Sequence, residues 1–301
     1  MSQRVATIDL GSNSCVFLVV EDCDGQLQRV TSDVAFTRLG KGLDGTGRLA
    51  ADAVQRSVAA IAGFVDQAKG MGVERLSCVG TAALREASNR DALMEAVRAL
   101  GCPIRAVTGA EEATLSYRAA CGADAPPRAV MVDVGGASTE FAWGDQGVMG
   151  DAVSVPIGSV RLRERFDWTD RCGMHDLYGV QQTIRDAFDV LPNLEGQPLV
   201  AVAGTATTAA QCALDLKAYD PDRLDGVILS LDVLNDLLTT VVGLSAAERQ
   251  QRYGVPAGRA DVLPLGLAIL IETMRRHSVP HLTVRDRGVA WGEALRLLWA
   301  D

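Results

Sequence analysis

The sequence predicts an α/β protein made of two duplicated domains, residues 1–125 and 126–301. Three observations carry that expectation. Short apolar runs alternate with stretches of helical spacing along the whole chain, as strands joined by helices do. The stretch ATIDLGSNSCVFLV near the start matches VMVDVGGASTEFAW, so that Asp9 falls on Asp133, Gly11 on Gly135 and Ser14 on Ser138. A strand, aspartate, glycine turn and strand recurring in equivalent places mark an internal duplication. Between the copies, Pro126 and Pro127 in GADAPPRA stop a helix before the next strand begins.

Taken in order, the predicted strands are VATIDL, CVFLVV, RLSCVG, IRAVTG, AVMVDV, EFAWG and PLVAVAG. Val54, Val58, Ile61, Val65 and Ala68 recur at helical spacing, which predicts a helix with one buried face. A second helix is expected from about Arg259 to Arg276, and a last one, about 288–300, is expected to pack back on the first domain. LPNLEGQP reads as a surface loop.

At 301 residues, 48% hydrophobic and 22% charged, the chain has length enough for two cores. Its formal net charge of −9 argues against general nucleic-acid or anionic-membrane affinity, which rests on clustered cations. A few arginines can still hold a phosphate ligand. The seven cysteines (Cys15, Cys23, Cys78, Cys102, Cys121, Cys172 and Cys212) are scattered and never spaced C-x-x-C. Asp9 stands where a signal peptide needs an unbroken apolar run, and VLPLGLAILI is too short to span a bilayer. A reduced, cytoplasmic protein is expected.

The two turns are the main chemical signal. Small residues let backbone N–H groups approach an anion, and an aspartate at the strand end can hold its cation. Gly11, Ser12, Asn13 and Ser14 in one copy, and Gly135, Gly136, Ala137 and Ser138 in the other, are therefore candidate phosphate contacts, with Asp9 and Asp133 beside a metal. The turns are expected to face each other across a cleft. Glu140 reads either as a third carboxylate in that cleft or as an exposed strand residue. Arg85, one turn into the helix after Thr81, reads as a phosphate ligand or as a surface partner of Glu86 or Asp91. Glu111 and Glu112 open a helix after Gly109, where acids are favoured by the helix dipole and where one could orient a water.

The segments IDLGSNS, TRLGKGLDGTGRL, TAALREASN, TGAEEATLSY, VDVGGASTE, VPIGSVRLRERF, VAGTATTAA, YDPDRLDGVILS and GRADVLPLG span nearly the whole chain. Together and in this order they resemble the exopolyphosphatase and guanosine pentaphosphate phosphohydrolase family. The resemblance implies two ribonuclease H-like domains of the kind shared with actin and the sugar kinases. It implies release of terminal phosphate from inorganic polyphosphate, from guanosine pentaphosphate or from both, with magnesium or manganese, by a homodimer whose partners are polyphosphate or guanosine pentaphosphate and tetraphosphate. It makes Glu112, ahead of Glu111, the base for the attacking water. It places Asp133 and Glu140 around the metal and the attacked phosphate, makes Arg85 and Arg259 phosphate-binding arginines, and adds Arg38 as a further candidate.

Departures from the family pattern are Ala137, where a third glycine is usual, and Ala290 and Trp291, where an arginine–glutamate pair is usual. A left-handed backbone at Ala137 would cost on the order of 1–2 kcal/mol and would keep open a sensor that binds without turnover. A sugar-kinase-like ATPase is the other alternative. The extra helical domain of longer members is expected to be absent. GKGLDG matches a dinucleotide fingerprint only formally, since it does not open a strand–turn–helix unit. His175, His277 and His281 form no zinc set, because Pro280 separates the latter two.

Overall fold

The computed structural model describes residues 3–122, 125–168, 170–171 and 173–299. The chain forms two compact units: residues 1–119 with 289–301, and residues 120–288. The division falls at the end of the helix Gly109–Ala120 and not at the proline pair. Ala123 and Asp124 of that predicted break lie outside the described residues, as does Cys172. The other six cysteines are free thiols.

The first unit holds β1 (Arg4–Leu10), β2 (Cys15–Cys23), β3 (Gln26–Ala35), β4 (Arg75–Gly80) and β5 (Ile104–Ala106), in the sheet order β3-β2-β1-β4-β5. β1, β2 and β3 pair antiparallel, while β1, β4 and β5 run parallel. The second unit holds β6 (Val130–Val134), β7 (Thr139–Asp145), β8 (Val148–Val155), β9 (Leu199–Val202), β10 (Ile228–Ser230) and β11 (His281–Val284). Its order, β8-β7-β6-β9-β11-β10, repeats the five-strand plan with the same directions and adds the antiparallel edge strand β10. This is the duplication seen in the sequence, and it gives the α/β fold of paired ribonuclease H-like units.

Alternation along β1 serves two cores. Ile8 and Leu10 join the cluster under the helix Ala51–Gly70, where Phe17 stacks on Phe64 with ring centroids 5.0 Å apart. Val5 faces the other way, against Ala290 and Ala294 of the last helix, Val289–Trp299. A strand covered on both faces reads as an almost unbroken apolar run. At the two positions that depart from the resembled pattern, the Ala290 carbonyl accepts from the Thr7 hydroxyl (2.8 Å) and the Arg29 guanidinium lies 5.5 Å from the Trp291 ring centroid. In the second unit Phe141 meets Phe188 edge-on at 5.2 Å.

Four strands escape the sequence reading: β3, β8, β10 and β11. β3 has no buried residue and β8 only Val155, so neither carries the unbroken apolar run that announces a covered strand. The helix expected over 259–276 is two helices, Ala257–Ala260 and Leu263–Arg276. Pro264 sits in the first turn of the second, where its missing N–H costs nothing. Among the described residues no helix is long and apolar enough to cross a membrane.

Candidate active site

In both units the predicted residues gather at the carboxyl ends of the parallel strands, where α/β sheets commonly bind ligands. In the first unit β1 leads into Gly11–Ser14, β4 into Thr81 and Arg85, and β5 into the helix that carries Glu112. In the second, β6 leads into Gly135–Ser138, β9 into the helix Ala203–Ala213, and β11 into Arg285 and Asp286.

The two turns close with the same bond. Gly11 N–H donates to the Ser14 carbonyl at 2.9 Å, and Gly135 N–H donates to Ser138 at 3.0 Å. Each turn is also held from behind. The Ser12 and Asn13 carbonyls accept from the amides of Gly40 (2.8 Å) and Arg38 (2.9 Å). The Gly135 carbonyl accepts from Ser159 N–H (3.0 Å), and the Gly136 carbonyl from Val160 (2.8 Å) and Arg161 (3.0 Å). The buried Arg161 guanidinium donates to the Ala137 carbonyl at 2.8 Å. In a planar trans peptide the N–H points opposite to the carbonyl, so these bonds aim the amides of Asn13 and Ser14, and of Gly136, Ala137 and Ser138, away from their braces. That is the backbone cradle an anion requires.

Gly158 makes the second brace possible, because a Cβ there would lie 2.4 Å from the Gly136 carbonyl carbon and 2.5 Å from the Ala137 nitrogen. Ala137 is not among the residues of positive φ, which corrects the expected strain: its methyl is buried at no left-handed cost. Arg38, by contrast, has φ +50°, and such outliers concentrate at functional sites.

Asp133 and Glu140 stand directly opposite each other across β6 and β7, so their side chains share one face of the sheet. They are 5% and 1% exposed, which overturns the reading of Glu140 as an exposed strand carboxylate. Glu140 Oε1 accepts from both Ser138 Oγ and Ser154 Oγ, each at 2.7 Å. In the first unit Val16 takes the place of Glu140, opposite Asp9. Two neighbouring buried carboxylates suit a hard cation that completes its shell with water and phosphate oxygens. Among the described residues no group of three or more His, Cys, Asp and Glu side chains forms a ready-made protein cage.

Glu111 and Glu112 are separated by their surroundings. Glu111 Oε2 accepts from Thr108 N–H (2.8 Å) and Thr108 Oγ1 (3.0 Å), while Glu111 N–H donates back to Thr108 Oγ1 (3.2 Å). This is a capping box, and the Thr108 amide is the main cause that holds the Glu111 carboxyl below its ordinary range. Glu112 is 7% exposed, and its Oε2 accepts from Arg85 Nη1 at 3.0 Å. The same nitrogen donates to the Val107 carbonyl at 3.1 Å. Arg85 is thereby a partner of the buried acid.

Arg259 belongs to the second unit, where its guanidinium lies against Gly204 and donates to Thr208 Oγ1 at 3.2 Å. Burial lowers its pKa, though a guanidinium stays protonated in proteins. Near it in the network are Tyr219 and Asp286, joined by a 2.6 Å hydrogen bond. Ser154, Gly158, Arg161, Tyr219 and Asp286 lie among the candidate site residues, and the sequence reading does not single them out. Arg161 stood inside a quoted segment, VPIGSVRLRERF, but its burial behind a distant turn leaves no periodic trace.

The model of the Ppx/GppA phosphatase family matches residues 18–298. The chain belongs to the Ppx/GppA phosphatase family. It is 32% identical over 319 aligned residues to exopolyphosphatase 2 of Mycobacterium tuberculosis, with 98% of each protein covered. The crystal structure of an exopolyphosphatase-like protein superposes with a TM-score of 0.89 at 29% identity, covering 99% of both chains. The Ppx/GppA family member of Aquifex aeolicus superposes with a TM-score of 0.84 at 27% identity, covering 100% of both. The chain is accordingly a phosphohydrolase by family.

Proposed function

We propose that this protein releases terminal phosphate from inorganic polyphosphate, from guanosine pentaphosphate, or from both, with Glu112 as the general base. The single observation behind this is the contrast between neighbouring acids: Glu111 is spent on its helix cap, while Glu112 is buried against Arg85. The names of two relatives, exopolyphosphatase 2 and an exopolyphosphatase-like protein, support polyphosphate as substrate.

In the proposed reaction Glu112 takes a proton from a water molecule as its oxygen attacks the terminal phosphorus. The bridging P–O bond breaks, and its electron pair leaves with the shortened chain. Arg85 holds the Glu112 carboxyl in place through its 3.0 Å hydrogen bond. The amides of the two turns hold nonbridging oxygens, with Arg38 and Arg259 adding charge, since phosphoryl transfer asks mainly for position and neutralisation. Magnesium or manganese would be held in the second unit by Asp133 and Glu140, which face the same side of the sheet, and would neutralise charge on the phosphates. Ala137 gives no support to a binding-only sensor, because its backbone carries no left-handed strain.

The test is phosphate release from long-chain polyphosphate with magnesium and no nucleotide, with guanosine pentaphosphate as competitor. Release without nucleotide is expected; dependence on ATP and a sugar acceptor would replace this reading with a kinase-like one.

A further inference from the structure

The last helix, Val289–Trp299, touches the helix of Glu112 by two independent routes within the first unit. The first is steric. A Cβ on Gly292 would lie 2.1 Å from the Leu115 carbonyl oxygen, so the two helices meet backbone to backbone. Beside that contact Val289 packs with Val79, Val107 and Leu115.

The second route is ionic. Glu293 is fully buried. Its Oε1 accepts from Ser77 Oγ (2.6 Å) and Arg296 Nη2 (2.8 Å), and its Oε2 from Arg296 Nε (2.8 Å) and Arg105 Nη2 (2.9 Å). Burial pushes the Glu293 carboxyl up, but the bonds from Arg296, Ser77 and Arg105 outweigh it and leave it below its usual range. Arg105 also pairs with Glu111 at 3.5 Å. An exposed pair of that length contributes little by itself. Its use is directional: it ties the capping residue of the helix to a guanidinium that Glu293 holds fixed.

Glu112 follows Glu111 and depends on the same helical turn for its aim. We propose that Gly292 and Glu293 are positioning residues for Glu112, the last helix acting as a brace on the first turn of the helix Gly109–Ala120. The inference rests on the reading of Glu112 as the base.

Glu293→Gln tests it, with Glu112→Gln assayed beside it. Glu293→Gln is expected to lower kcat on polyphosphate by on the order of 10-fold or more, with KM changed less than about 2-fold. Amide hydrogen exchange is expected to quicken over residues 110–116 and to stay as in the parent over 51–70. Arg105→Gln should reproduce both effects, and Arg105→Lys should recover much of the rate. Unchanged exchange over 110–116 overturns the brace, as does exchange that quickens throughout the unit, which would mean a loss of stability only. If Glu112→Gln keeps the parental rate, the assignment of the base falls, and the exchange at 110–116 alone then decides whether the brace exists.

Discussion

The two units share a strand plan, a turn and a closing hydrogen bond, yet they differ at one register position. Opposite Asp9 the first unit has Val16, and opposite Asp133 the second has Glu140. One sheet thus presents a single carboxylate at its turn and the other a buried pair. The first unit has instead the helix of Glu112 and its Arg85 partner. Under the proposed function a duplicated scaffold divides its work, with cation chemistry weighted to the second copy and proton transfer to the first.

That division can be broken by experiment. Asp133→Asn is expected to cost on the order of 10²–10³ in kcat/KM, against roughly tenfold for Asp9→Asn, because only Asp133 has a neighbouring carboxylate to share the cation. Extra magnesium should recover more activity in Asp9→Asn. Equal losses, measured by metal titration of both variants, would contradict the division.

The braces behind the turns offer a second comparison. Gly158→Ala forces a methyl into the Gly136–Ala137 backbone, and overpacking of this kind costs typically about 1–3 kcal/mol. We expect a lower Tm together with weaker phosphate release, because the same movement tilts the amides of the turn. A Tm loss with full activity would show that the cradle does not depend on its brace.

A third difference lies beneath the turns. Phe17 and Phe141 are counterparts, but Phe17 stacks on Phe64 while Phe141 lies 6.1 Å from the buried His277. Burial, then the nearby Arg276 charge, pushes this imidazole down to about 4. The unfolded state therefore binds more protons than the folded one between the ordinary histidine pKa and about 4. The linked stability is full above that window and is lost as pH falls through it, by up to roughly 3 kcal/mol. Thermal unfolding from pH 7 to pH 4 should show His277→Leu flattening the acid decline. A slope identical to that of the parent would mean that His277 does not titrate in this window.

What could be read from the sequence was local. Strand, aspartate and glycine turn are encoded within a dozen residues, so both cradles and their duplication were visible. The choice between Glu111 and Glu112 had a local sign as well, since Thr108 and Glu111 have capping-box spacing, yet the resemblance rather than the residues made that choice. The edge strand β3 was missed because its exposed polar residues carry no apolar run. Arg161 and Glu293 were missed for a different reason: each reaches partners far along the chain, Ala137 in one case and Ser77 and Arg105 in the other. Long-range satisfaction of a buried charge leaves no spacing to read.

The most direct test of the account is Glu112→Gln, assayed for phosphate release from polyphosphate alongside equilibrium binding of the same polymer. A fall in kcat of about 10²–10⁴ with binding retained is the predicted result. A variant that keeps its rate within a few-fold, or one whose loss is wholly a loss of binding, would contradict the assignment of the buried glutamate as the base.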